Sequence, residues 1–284
     1  MQPEDFRCKQ RLTVRWAEVD AQKIVFNAHY MLYADVAVTE YWRQMAMPYE
    51  ASWAKLGGEL YVKKADVTYH AAAVMGDVLD VGMRCSKQGN SSLQFECGIF
   101  RGRQLLNTVQ LVYVFADADR KPQPVPQPLR DALTAFEAGE DMVTLQSGSW
   151  NDLGRAAERL RMQVFVHEQG VPAEIEVDEF DPICRHVVAF NRLGQAVATG
   201  RLLTDAPGVA RVGRMAVDRA VRGSRVGRWV LDSLVETARE RGDSAVVLHA
   251  QCQAQSFYAR AGFVAEGGIY QDAGIDHVTM RKVF

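Results

Sequence analysis

Val14-Arg15-Trp16-Ala17-Glu18-Val19-Asp20, continuing as Ala21-Gln22-Lys23-Ile24-Val25-Phe26-Asn27-Ala28-His29-Tyr30, decides how the first half of this chain folds. A strand-like run ends at a carboxylate, a short turn follows, and a helix begins near Asn27 or Ala28. The helix is read from its stripe: Tyr30, Ala34, Ala37, Val38, Tyr41 and Met45 recur at helical spacing and form one apolar face. An acid just ahead of a helix start lies beside unpaired amides and the positive end of the dipole. A polarised carbonyl oxygen is stabilised in such a place.

Downstream the pattern changes to period two. Strands are expected at Val78–Cys85, Leu93–Ile99 and Val109–Phe115. In the second, Leu93, Phe95, Cys97 and Ile99 alternate with Gln94, Glu96 and Gly98, so one face is buried. Gly76-Asp77 and Gly89-Asn90 mark turns between these runs. One long helix followed by antiparallel strands is an α+β pattern in which a sheet wraps a helix.

The segment Lys121-Pro122-Gln123-Pro124-Val125-Pro126-Gln127-Pro128 holds four of the nine prolines. Alternating proline disfavours helix and central strand, so the segment is expected to be extended and exposed. A polar, helix-compatible stretch, Leu129 to Asp141, follows. With 284 residues the length suits two domains. They are expected over 1–130 and 143–284, with 131–142 as a linker; a loop inside one larger domain is the competing reading. Past the boundary a helix is expected at Arg155–Glu168, then an acidic loop, and strands at His186–Asn191, Ala196–Leu203 and Arg211–Val217. A helix over about 223–241, a strand at Ala245–Ala250 and a short helix at Ala254–Ala261 complete an α/β pattern with a mixed, largely antiparallel sheet.

Composition removes several functional classes. The net charge of −2 is spread evenly, which predicts no nucleic-acid partner. No apolar run approaches the roughly 18–20 residues of a membrane span, and Met1-Gln2-Pro3-Glu4-Asp5 lacks the apolar core of a secretory signal. The five cysteines are scattered without a C-x-x-C pair, which reads as reduced thiols in a cytoplasmic protein and no metal site. Seven lysines precede residue 140 and only Lys282 follows it, a shift that suggests halves of separate history.

Residues 8–130 resemble hotdog-fold acyl-CoA thioesterases of the YbgC, FadM and 4-hydroxybenzoyl-CoA thioesterase type. The likeness rests on Val14 to Tyr33, on Val67-Thr68-Tyr69-His70 followed by Gly76-Asp77-Val78-Leu79-Asp80-Val81, and on Gly89-Asn90-Ser91-Ser92-Leu93-Gln94-Phe95-Glu96. It implies that Asp20 attacks the thioester carbonyl or activates water, and that amides at the helix start polarise the carbonyl oxygen. Asn27 or His29 would orient water or the thioester. The chain departs from that pattern at Gln22-Lys23, where many relatives have Gly-Gly, at Asn27, where many have His, and at Ala72, where Pro is common. The D-x-N-P-x-H signature of hydratases is absent, so water addition to an enoyl-CoA is not expected.

Residues 143–284 resemble GNAT acyltransferases, in particular the ElaA branch. Arg211-Val212-Gly213-Arg214-Met215-Ala216-Val217 precedes Arg222-Gly223-Ser224-Arg225-Val226-Gly227-Arg228, which is similar to the R/Q-x-x-G-x-G/A loop that binds the CoA pyrophosphate. Arg225 stands where that loop has its middle glycine. Consecutive amides at a helix start form an anion nest, and arginines at 211, 214, 219, 222, 225 and 228 surround it. Val164-Phe165-Val166-His167-Glu168-Gln169, Leu248-His249-Ala250-Gln251 and Gly274-Ile275-Asp276-His277-Val278-Thr279-Met280 extend the likeness.

This second resemblance implies that Met215, Ala216 and Val217 pair with pantetheine through their backbone. Tyr258 would protonate the departing thiolate, and His277 is a candidate base. The acidic run Glu174, Glu176, Asp178, Glu179, Asp181 reads either as an attractor for an amine or as a solvated loop. Together the resemblances imply a bifunctional enzyme without a tightly bound cofactor. Acyl-CoA and acetyl-CoA would be its substrates and an amine its acceptor, with a homodimer or homotetramer formed through the hotdog domain. The alternative is an active thioesterase carrying a non-catalytic acyl-CoA-binding or regulatory GNAT module.

Overall fold

A computed structural model describes residues 1–284, which divide into two compact units, Met1–Met142 and Val143–Phe284. The first unit runs β1 (Cys8–Thr13), α1 (His29–Gln44), α2 (Tyr49–Leu56), β2 (Glu59–Tyr69), β3 (Val78–Gln88), β4 (Ser92–Arg101), β5 (Gln104–Ala116) and α3 (Gln127–Glu137). Its five strands lie in the order β1-β3-β4-β5-β2, all antiparallel. The period-two face read from sequence is the inner face: Leu93, Phe95, Cys97 and Ile99 are all fully buried.

The stripe of α1 packs there, with Tyr30, Ala34, Ala37, Val38 and Tyr41 buried. Tyr41 sits edge-on to Phe95 and to Phe136 of α3, with ring centroids 5.3 and 4.7 Å apart. Edge-to-face pairs of this kind add to the area they bury. The run before α1 is not a strand to its end. β1 stops at Thr13, and Trp16–Glu18 forms a single tight helical turn.

The proline-rich segment is extended but not free of the fold. Gln123 donates its amide to Phe115 O at 2.9 Å, Val125 donates to Asn90 O at 2.8 Å, and the Val125 side chain is buried. Helix α3, which takes up more than half of the stretch expected as a linker, buries Leu129, Ala132, Leu133 and Phe136 within the first unit. Glu137 accepts from Tyr41 Oη at 2.5 Å and from the Cys85 amide at 2.7 Å.

The second unit runs β6 (Val143–Gly148), α4 (Trp150–Arg161), a π-helical turn at Met162–Glu168, β7 (Arg185–Asn191), β8 (Ala196–Ala206), β9 (Val209–Val217), α5 (Val226–Glu240), β10 (Ala245–Gln251), α6 (Gln255–Ala259), β11 (Val264–Asp272) and β12 (Ile275–Val283). Seven strands lie in the order β11-β12-β10-β9-β8-β7-β6. Only β9 and β10 are parallel, pairing from Ala245↔Val209 to Leu248↔Val212. Beyond Leu248 and Val212 the two strands no longer pair with each other, and this parting opens the sheet. Helix α5 buries Val226, Val230, Leu231, Leu234, Val235 and Ala238, and Leu153 and Ala157 of α4 cluster with Val188.

Phe136→Ala should therefore cost the first unit about 3–5 kcal/mol, the range for removing a buried aromatic ring. Chemical unfolding of the purified chain measures it; a loss below about 1 kcal/mol, the mark of a surface residue, would show that α3 is peripheral to the core.

Candidate active sites

In the first unit the loop between β1 and α1 is organised by Glu18, a residue the sequence did not single out as functional. Glu18 is buried. Its carboxylate accepts the Arg15 amide at 2.7 Å, the Tyr33 hydroxyl at 2.8 Å and Arg15 Nε at 2.8 Å, while its carbonyl accepts the Phe26 amide at 2.9 Å. Burial works against its charge, but these donors outweigh it and hold the Glu18 carboxyl below its ordinary range. The charged clamp thus fixes the approach to α1.

Asp20 lies inside that clamp. Its Oδ1 accepts the Gln22 amide at 2.8 Å and its carbonyl accepts the Lys23 amide at 2.9 Å, a tight turn in which Lys23 takes φ +64°. Oδ2 of Asp20 makes no bond within the chain. Asp20 and Asn27 line one cleft of about 410 Å³ together with Ile24, Phe26, Tyr30 and Tyr69. Helix α1 starts at His29, slightly later than expected, and the Asn27 and Ala28 amides ahead of it have no acceptor in the chain.

His29 is not brought to the cleft. It is half-buried with its ring edge-on to Phe26. His70 does line the cleft, with Nε2 3.1 Å from Thr108 Oγ1. It lay in a quoted motif, but nothing local in the sequence distinguished it from a strand-end histidine.

In the second unit the parting of β9 and β10 forms a cleft of about 480 Å³, lined by Met215, Tyr258 and His277 among others. Tyr258 is buried between Phe257 and Phe263, and burial pushes its phenol up to about 12. His277 Nδ1 is 2.9 Å from Ile275 O, so Nδ1–H donates there and leaves Nε2 as the acceptor. His249, also on the cleft, bonds through Nδ1 to Tyr270 Oη, and Tyr270 stacks on His277 with ring centroids 6.1 Å apart.

The expected phosphate loop lies ahead of α5. Arg225 is the residue before the helix, with φ +70°, the conformation for which glycine is favoured. The amides of Arg225, Val226 and Gly227 have no acceptor in the chain. Arg222 bonds Glu168 at 2.5 and 2.7 Å, which depresses the Glu168 carboxyl, and Arg228 bonds Asp232 at 2.8 Å. The Arg225 side chain is exposed without such a partner. Gly223 and Ser224 form the turn, and Ser224 Oγ donates to Val221 O at 2.5 Å. A side chain at Gly227 would meet Val217 Cγ2 at 2.9 Å, so this glycine lets the helix start sit against β9.

Three of the five residues of the acidic run are tied into the fold, while Glu174 and Glu179 are exposed. Glu176 and Asp181 are buried, and with Asp178 they are neutralised by three arginines from elsewhere in the unit. Arg161 bonds Glu176 and reaches Asp181 at 2.7 and 2.9 Å; Arg201 bonds Asp178 at 2.6 Å and Asp181 at 2.7 Å; Arg214 bonds Asp178 at 3.1 Å. Burial disfavours the Asp181 charge, but Arg161 and Arg201 overcome it and lower the carboxyl to about 2.

Residues 154–284 match the family model described as an acetyltransferase (GNAT) domain, and residues 14–133 match that of the thioesterase-like superfamily. An uncharacterized N-acetyltransferase of Bacillus subtilis, YjcF, is 36% identical over 124 residues, covering 43% of this chain and 87% of that protein. Protein ElaA of Escherichia coli is 33% identical over 128 residues, covering 44% of this chain and 83% of ElaA. A thioesterase from Thermus thermophilus, solved with coenzyme A and Zn, is similar over 48% of this chain and 97% of its own at 26% identity, with a TM-score of 0.43.

The arginine–carboxylate cluster makes the second unit sensitive to acid. A carboxyl whose folded value is lowered stabilises the fold above its unfolded value and loses that contribution as pH falls. For Asp181 the window runs from 3.8 down to about 2. The melting temperature followed by near-ultraviolet circular dichroism should drop across it, and Asp181→Asn should flatten the drop; an unchanged slope in that variant would contradict the assignment.

Proposed function

We propose that this chain, which belongs to the GNAT acetyltransferases through residues 154–284 and matches the thioesterase-like superfamily over residues 14–133, is a bifunctional CoA-thioester enzyme. Its first unit hydrolyses an acyl-CoA, and its second transfers an acetyl or acyl group from CoA to an amine. The observation that carries the reading is a pair of clefts, one lined by Asp20 and Asn27 and the other by Met215, Tyr258 and His277.

In the first, Oδ2 of Asp20 attacks the thioester carbon or takes the proton of an attacking water. The bare amides of Asn27 and Ala28 donate to the carbonyl oxygen as negative charge develops on it. If Asp20 attacks, the C–S bond breaks to leave a mixed anhydride that water hydrolyses, which restores the carboxylate; if Asp20 acts as base, the C–S bond breaks and the proton it holds passes to the thiolate. Asn27 also orients the reactants at the polar end of the cleft, while Ile24, Phe26 and Tyr30 present a largely apolar wall to the acyl group.

In the second, the amides of Arg225, Val226 and Gly227 hold the CoA pyrophosphate, with the exposed Arg225 guanidinium beside them. Arg222, Gly223, Ser224 and Arg228 shape the loop, and the backbone of Met215, Ala216 and Val217 pairs with pantetheine. The amine nitrogen attacks the thioester carbon, and its surplus proton passes to Nε2 of His277. As the C–S bond breaks, Tyr258 donates its proton to sulfur. A phenol held near 12 stays protonated throughout the physiological range and is present as the donor.

CoA thioesters are substrates in this scheme, and no tightly bound cofactor takes part. The protein acts in the cytoplasm, with neither nucleic acid nor membrane as a partner; none of its helices is long and apolar enough to cross a bilayer. It assembles as a homodimer or homotetramer through the first unit, whose edge strand β2 is exposed along its length and carries the apolar Tyr61, Val62 and Tyr69. Arg225 at the middle-glycine position favours one second reading, a GNAT unit that binds acyl-CoA without turning it over. Tight acetyl-CoA binding with no transfer across a broad amine panel would select it.

Asp20→Asn should lower acyl-CoA hydrolysis by about 10²–10⁴-fold while the chain stays folded, the usual worth of a positioned base; wild-type turnover would reject Asp20. Tyr258→Phe should lower kcat for transfer by about 10²-fold or more with CoA affinity retained. Equal rates with thiol release followed spectrophotometrically would remove the general-acid role.

A further inference from the structure

The register of β8 against β9 slips at one point. Thr199 pairs with Ala216 and Arg201 with Gly213, so Arg214 and Met215 together oppose Gly200. In this bulge Arg214 takes φ +51°. A residue with a Cβ is disfavoured there by about 1–2 kcal/mol, a cost glycine would avoid. The side chain makes use of the position. Nε of Arg214 donates to Glu176 O at 3.2 Å, and Nη2 donates to Ile175 O at 2.9 Å and to Asp178 Oδ2 at 3.1 Å.

One residue thus joins two walls of the same cleft. Met215, its neighbour in the bulge, lines the cleft, and so do Ile175, Glu176, Asp178 and Phe180 of the segment that Arg214 grips. Arg214 is not the sole counter-ion of any carboxylate in that segment. Without it Glu176 still has Arg161, Asp178 still has Arg201, and Asp181 still has both, so its loss orphans no buried carboxylate.

We propose that Arg214 is a positioning residue that couples CoA binding along β9 to the order of segment 173–183, so that the acyl donor prepares the wall against which the acceptor binds. This rests on the reading of the second unit as a CoA-dependent transferase. Binding that straightens or stiffens the bulge is transmitted through three hydrogen bonds to the segment, and acceptor affinity rises once CoA is in place.

Hydrogen exchange of the whole chain, with coenzyme A as the probe, tests the coupling. In the wild type, saturating coenzyme A should slow exchange of the amides in 173–183 by about tenfold, the ordinary size of a coupling between sites. Arg214→Gly keeps the backbone conformation and removes the grip; it should still bind coenzyme A by calorimetry, but the segment should no longer respond. Arg214→Met removes the same donors and serves if the glycine variant does not fold.

A purely structural Arg214 would raise exchange equally with and without coenzyme A, and a wild-type response in either variant overturns the proposal. Coenzyme A that binds the wild type without slowing the segment overturns the coupling alone. No binding to the wild type overturns the coupling and the reading of the second unit with it.

Discussion

In both units the backbone at a helix start keeps amides bare: Asn27 and Ala28 just ahead of α1, and Arg225, Val226 and Gly227 where α5 begins. A serine or aspartate at the cap of α5 would occupy the Gly227 amide with its own side chain. Here Ala28 precedes α1 and Arg225 precedes α5, and neither places a side-chain acceptor over the helix start. The loops are held from nearby instead. Glu18 collects donors before the first helix, and Asp218 accepts the Ala220 amide and Gln163 Nε2 before the second. Separating the group that fixes the loop from the amides that meet the ligand allows rigidity and reactivity together.

The same two junctions share a second property. Lys23 and Arg225 have positive φ, at places where the families they resemble use glycine. Each keeps the glycine conformation while placing a cation beside a proposed CoA-thioester site. The conformational cost is of the order of 1–2 kcal/mol per residue, small against the favourable terms of a domain but large enough to oppose a side chain without use. Arg214 is a third case, and its guanidinium has visible partners.

Much of the fold was legible where burial is one-sided. The α1 stripe and the alternation of Leu93 to Ile99 state their inner faces directly, and the four strands expected in the second unit fell within a few residues of their observed ends, whereas β6, β11 and β12 were not anticipated. β2 was not anticipated because neither of its faces is buried, so its sequence carries no alternation. The run through Trp16–Glu18 was expected to continue a strand; the captured carboxylate of Glu18 turns it instead. Of the two residues offered as partners of Asp20, Asn27 shares its cleft and His29 does not line it. The acidic run could not be read locally at all. Glu176, Asp178 and Asp181 are matched by Arg161, Arg201 and Arg214, which come from a helix and two strands on either side of the run in sequence.

Helix α3 bears on how such a two-part protein can be built or taken apart. Phe136 and Glu137 complete the cover over Tyr41, so the first half is finished only once this helix has emerged from the ribosome. Recombination that joined or exchanged the halves upstream of it would have left one partner with an open core. The usable crossover is confined to the short stretch from Ala138 to Met142, between the end of α3 and the first strand of the second unit. The proline-rich segment, the more obvious seam in the sequence, is already stitched into the first half.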